Sequence, residues 1–93
     1  MHYDPPALFG KRLIELRKEH GWSQEKLALE SGLARSYMGE VERGKRNISL
    51  INICILADTL GVAPSALLDF GAPARKAASK KPRKTARPVA PAD

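Results

Sequence analysis

Apolar residues recur at helical spacing through residues 1–71 and then give out. Phe9, Leu13 and Leu16, with Ile14 on the flank, make one apolar face, predicting a helix from Pro5 and Pro6 to about His20, where Gly21 stops it. Ser23 is a good N-cap for a short second helix, with Glu25 well placed in its first turn and Leu27 and Ala28 facing inward. Gly32 supplies the corner. A third helix is expected from about Ala34 to Arg43, burying Met38 and Val41 and ending at Gly44. After the basic loop Lys45-Arg46-Asn47, Ser49 caps a fourth helix that runs to Leu60 and closes at Gly61. Pro64 then opens a short fifth helix ending around Phe70. No segment alternates with a two-residue period, so the expected fold class is all-α, with no sheet.

The remaining stretch, residues 72–93, is rich in Ala, Lys, Arg and Pro, with no large apolar residue beyond Val89. Such a segment buries too little surface to offset its ordering entropy, so a disordered basic C-terminal tail is expected there. Charge divides along the same line. Residues 1–71 hold nine basic and nine acidic side chains, while the tail holds seven basic groups against Asp93, which accounts for the whole net charge of +6. A nucleic-acid reading of the globular part must therefore rest on where its charges sit.

Other chemistry is scarce. Cys54 is the one cysteine, so no internal disulfide forms; a buried free thiol in an intracellular protein is the expectation. With only His2 and His20 beside it, no metal-ligand spacing arises, and neither a metal nor any other cofactor is expected. No apolar run is long enough to span a membrane, and Met1 to Leu8 do not read as a secretory signal, so a cytoplasmic location is expected. No nucleophile–base pair, carboxylate dyad or phosphate-cradling glycine loop points to an enzyme, and His20 at a helix end reads as a cap.

Two short helices joined by a glycine corner, the second opening with exposed polar residues, match a helix-turn-helix over about residues 23–43. That unit requires small residues where its helices cross, here Ala28 and Gly32, and an apolar pin after the turn, here Leu33. Polar side chains must then project from the reading helix: Arg35, Ser36, Tyr37 and Glu40. By pattern alone, an ordinary helical hairpin in a small bundle fits as well.

The run LRKEHGWSQEKLALESGLARSYMGEVERGKRNISL, followed by LADTLGV, resembles the phage-repressor (Cro/Xre-type) helix-turn-helix family across roughly residues 8–70. WSQEKLA, ERGKR and LADTLGV are its most specific pieces. Within that family, GLARSYMGEVERGKRNISL is most similar to the restriction-modification controller proteins, although the long basic tail is not part of their pattern. The resemblance implies a five-helix lambda-repressor-like DNA-binding domain. It also implies roles for matching positions. Gln24 falls at a backbone-phosphate contact that braces the reading helix, and Arg35 and Ser36 fall where base edges are read. Arginine suits that task because its fork can donate twice to guanine O6 and N7.

Tyr37 has two readings, contact with a thymine methyl or phosphate, and plain packing. Glu40 likewise either accepts from cytosine N4 or lies on a solvated face. Arg43, Lys45, Arg46 and Asn47 lie beyond the reading helix, where they would grip phosphates or enter the minor groove. Arg17 and Glu42 match a structural ion pair that ties the first helix to the third in this family. Positions 51 and 55 are usually polar in the family, yet here they are Ile51 and Ile55. An exposed apolar pair suggests a subunit contact, and a two-fold homodimer through Ile51, Ile55, Leu67 and Phe70 is expected. Packing of that face on the chain's own fifth helix or tail root is the alternative.

Taken together these readings point to a transcription regulator that binds double-stranded DNA, as a homodimer, with no membrane partner. A DNA-binding antitoxin that also wraps a protein partner is the second class. For the tail, phosphate neutralisation, solubility, partner binding and, for KKPRK, a nuclear-import string all fit its composition.

Overall fold

A computed structural model describes residues 2–71 of the chain. Five helices follow in order: α1 Pro5–Glu19, α2 Gln24–Ser31, α3 Arg35–Glu42, α4 Leu50–Leu60 and α5 Pro64–Leu67. No strand occurs among the described residues. The expectation of a disordered tail over 72–93 lies outside them. Among the described residues, no helix is long and apolar enough to cross a membrane. Nor is any group of His, Cys, Asp or Glu there arranged to hold a metal ion.

Helix starts follow from short polar side chains that satisfy orphan amides. Asp4 accepts from the Ala7 amide, Ser23 from Lys26 and Ser49 from Asn52. α2 ends at Gly32 with φ 78°, which turns the chain sharply toward α3. The fifth helix stops at Leu67, short of Phe70: the Leu68 and Asp69 amides bond back to Ser65 and Ala66 in a turn. Phe70 is thereby released to meet the Tyr3 ring edge-on at 6.5 Å.

Each helix contributes one face to a single core. Leu13, Leu27, Met38, Val41, Leu56 and Leu67 are its largest fully buried side chains. Full burial of such side chains is worth roughly 1.5–3 kcal/mol each. α1 packs on α3 and α5, while α2 packs on α3 and α4.

The crossing of α1 with the end of α3 is so close that side chains are excluded. A Cβ at Gly10 would lie 2.5 Å from the Glu42 carbonyl oxygen. Just beyond α3, a Cβ on Gly44 would lie 2.7 Å from Ala7 Cα, and its φ of +77° is one that other residues rarely adopt. The chain therefore leaves α3 pressed against the start of α1.

α4 departs from expectation at Cys54. Its buried face is Ile53, Leu56, Ala57 and Leu60, which turns Leu50, Ile51 and Cys54 to solvent. Cys54 is thus an exposed free thiol, because it lies one turn beyond Ile51 on the outer side.

Candidate nucleic-acid interface

The reading helix is held from behind. Arg17 on α1 donates from Nε to Glu42 Oε2 at 2.7 Å and from Nη2 to Oε1 at 2.9 Å, a two-pronged bond. A third nitrogen, Nη1, donates to the Trp22 carbonyl at 3.1 Å, fixing the α1–α2 turn as well. Gln24 adds a further donor to Glu42 Oε1 at 2.9 Å. The Glu42 side chain is only 3% exposed, yet its carboxylate has three donors, so its charge is buried with compensation.

Gln24 reaches Glu42 across α3 over Gly39, where a Cβ would lie in ordinary contact with Gln24 Oε1 at 3.4 Å and close to Arg43 Nη1 at 3.2 Å. The same Oε1 accepts from Arg35 Nε at 3.5 Å, and Arg35 Nη1 lies 3.8 Å from Glu25. Gln24 thus touches α3 at both ends. Arg35 and Ser36 are exposed at its first turn.

Tyr37, in the same turn, is half-buried against the core. Its hydroxyl accepts from Asn52 Nδ2 at 3.1 Å, which leaves the hydroxyl proton for another acceptor. Asn52 itself was not anticipated; nothing but its place in the first turn of α4 could have flagged it. Glu40 is paired with Arg46 Nε at 2.6 Å rather than standing free in solvent. Arg46 also lies over the Tyr37 ring, 5.2 Å from its centroid. Its hydrogen bond and positive charge hold the Glu40 carboxyl below the ordinary carboxylate range, with Arg43 and Lys45 adding to the effect. Arg43, Lys45, Arg46 and Asn47 are all exposed.

The residues expected at a subunit contact separate. Ile51 is 72% exposed, and Leu50 beside it is open as well. Ile55 and Phe70 are half-buried. Leu67 is corrected: it is completely buried in this chain's own core, because the short α5 folds inward over α1 and α4, and it cannot face a partner. His20 caps α1 through its backbone N–H and lies against the Trp22 ring at 4.1 Å.

These features together amount to two crossed helices, a glycine corner, an outward first turn on the second helix and a cationic loop after it. The helix-turn-helix (HTH_3) family model matches residues 13–67. Control protein C.BamHI of Bacillus amyloliquefaciens is 48% identical over 64 residues, spanning 68% of this chain and 79% of that protein. The immunity repressor protein of Bacillus phage phi105 is 37% identical over 59 residues, spanning 63% of this chain and 41% of that protein. Among solved structures, the restriction-modification controller protein C.AhdI from Aeromonas hydrophila superposes with a TM-score of 0.67 at 55% identity. That match covers 70% of this chain and 98% of the controller. The chain belongs to the helix-turn-helix family, of the Cro/C1 type.

Proposed function

We propose that this chain is a sequence-specific, double-stranded DNA-binding transcription regulator that acts as a homodimer on an operator of two-fold character. The observation that carries the reading is the exposed first turn of α3, with Arg35 and Ser36 outward, braced from behind by the buried Arg17–Glu42–Gln24 network. A reading helix must enter a groove without yielding, and that brace supplies the stiffness. Arg35 is the principal base reader, with Ser36 beside it. Gln24, Arg43, Lys45, Arg46 and Asn47 take phosphate or minor-groove contacts, which set register. Tyr37 serves through its free hydroxyl proton. The names of the relatives, controllers and a repressor, support regulation. No observation favours the antitoxin alternative.

The dimer reading rests on the apolar outer side of α4, Leu50 and Ile51 with Ile55 at its edge, and on Phe70; Leu67 is withdrawn from it. A cytoplasmic location, where the DNA is, goes with this function. The seven basic residues of 72–93 add sequence-independent attraction to phosphates.

Selection of bound duplexes from a random pool, at about physiological salt, tests the whole reading. The wild type is expected to enrich a two-fold-symmetric site with half-sites about 10 base pairs apart. Arg35→Ala is expected to lose about 1–3 kcal/mol at one base position in each half-site. Enrichment of no sequence by the wild type would reject the regulator.

A further inference from the structure

We propose that Glu40 is a specificity-determining residue of a kind other than a base reader: a counter-charge that withholds Arg46 from the phosphates of non-cognate DNA. The inference rests on the DNA-binding function proposed above and deepens it. Three observations place Arg46 under restraint. Its Nε donates to Glu40 at 2.6 Å, so a residue of the loop is bound back onto α3. Its guanidinium lies over the Tyr37 ring at 5.2 Å. The ring is in turn tied to α4, through the bond from Asn52 to its hydroxyl. Loop and α3 therefore meet on one guanidinium, and α4 is joined to them through the Tyr37 hydroxyl.

A carboxylate and a DNA phosphate are the same kind of partner for arginine, an anion that accepts from its planar fork. On a non-cognate duplex a protein holds on chiefly through phosphates, with each engaged cation adding to the affinity. Arg46 can offer its whole fork to a phosphate at an arbitrary position only by leaving Glu40, and the bared carboxylate would then face the phosphates. The pair is half-exposed, at 51% for Arg46 and 39% for Glu40, so a well-placed phosphate can compete for it. In the cognate register α3 sits in the groove in one fixed pose. There Arg46 need not let go, because the bond to Glu40 uses Nε and two further nitrogens remain in the guanidinium to donate outward. The counter-charge thus weakens the non-specific mode more than the specific one. Its surroundings fit this role: with Arg43 and Lys45 near by, Glu40 stays ionised at neutral pH and tempers a patch of three cations.

The test is a titration of the full chain against a random-sequence duplex and against the selected site, over a series of salt concentrations. It compares the wild type with Glu40→Gln, Arg46→Ala and the double variant, each checked for a cooperative melt. Glu40→Gln is expected to bind the random duplex about three- to ten-fold more tightly, with a log–log salt slope steeper by about 0.9. Its affinity for the selected site should change much less, and base preference should not change at any position. In the Arg46→Ala background the gain should vanish.

An unchanged slope would overturn the proposal, as would a gain that survives without Arg46, which would mean simple repulsion by Glu40. Relaxed preference at one base position would overturn it in favour of Glu40 as a cytosine reader. The two levels of inference fail separately. A wild type that selects a site, with Glu40→Gln unchanged in slope, keeps the regulator and loses the counter-charge. A wild type that selects nothing rejects the regulator, and a slope that still steepens through Arg46 would then leave Glu40 as a restraint on phosphate binding and not as a determinant of specificity.

Discussion

Two arginine–carboxylate pairs flank α3, nearly equal in their shortest distance but different in bonding and surroundings: two-pronged and backed by Gln24 inside, a single Nε bond outside. Arg17 and Glu42 meet at 2.7 Å on the inner side, with side-chain exposures of 12% and 3%. Arg46 and Glu40 meet at 2.6 Å on the outer side, at 51% and 39%. The distances would rank them as equals. Physically they are opposites: the inner carboxylate, once stripped of its partner, is a charge with no water to receive it, whereas the outer one is at once solvated. The inner pair is thus bound to folding, and the outer pair is available for exchange with a ligand.

The largest effect expected to separate them comes from Glu42→Ala. Arg17 and Gln24 would both lose their acceptor inside the fold, at a cost of about 3–5 kcal/mol. For a domain of this size that lowers Tm by more than about 12 °C, and DNA binding should fall with it. A melt that is unchanged would break the comparison at its root. Gly10→Ala comes next. The added methyl strikes the Glu42 carbonyl and must push α1 off α3, costing about 1–3 kcal/mol without touching a single charge. If Gly10→Ala proves silent, the inner pair owes its rigidity to electrostatics rather than to the close crossing.

Glu40→Gln should do least to stability, leaving Tm within about 3 °C of wild type. Its pH dependence sharpens the contrast. Arg46 lowers the Glu40 carboxyl, so the pair's contribution is complete above the ordinary carboxylate range and fades as pH falls through the lowered value. Melts of wild type and Glu40→Gln should converge on acidification; a gap that widens would contradict the assignment.

What sequence reasoning could see follows the same inner–outer line. The order of the five helices was legible because Ser23 and Ser49 open helices and Gly21, Gly32, Gly44 and Gly61 close them, local rules that need no knowledge of the fold. The partnership of Arg17 with Glu42 came only from the family resemblance, since no local rule joins α1 to α3. α4 resisted reading because LINICIL is apolar on nearly every side, and periodicity cannot choose a face when all faces qualify. Hence Cys54 was expected inside and lies outside; Leu67 was expected outside and lies inside because four residues of α5 are too few for periodicity to show which side folds inward. The pairing of Glu40 with Arg46 escaped notice for another reason. They are joined around the end of a helix, through the turn at Gly44, where spacing rules for helical pairs do not reach.

That turn carries a consequence for how the molecule comes into being. Gly44 is pressed against Ala7, a residue of the first turn of α1 far back along the chain, so the loop bearing Lys45 and Arg46 is braced only when α1 has docked. Contacts so distant along the chain form late, after the local helices have begun to flicker into existence. A nascent or nicked chain that has made α2 and α3 but lacks a seated α1 has the right letters in the wrong posture. The geometry for reading a sequence therefore arrives with completion of the fold rather than in instalments, and unfinished molecules keep only the indiscriminate attraction of their basic residues for phosphate.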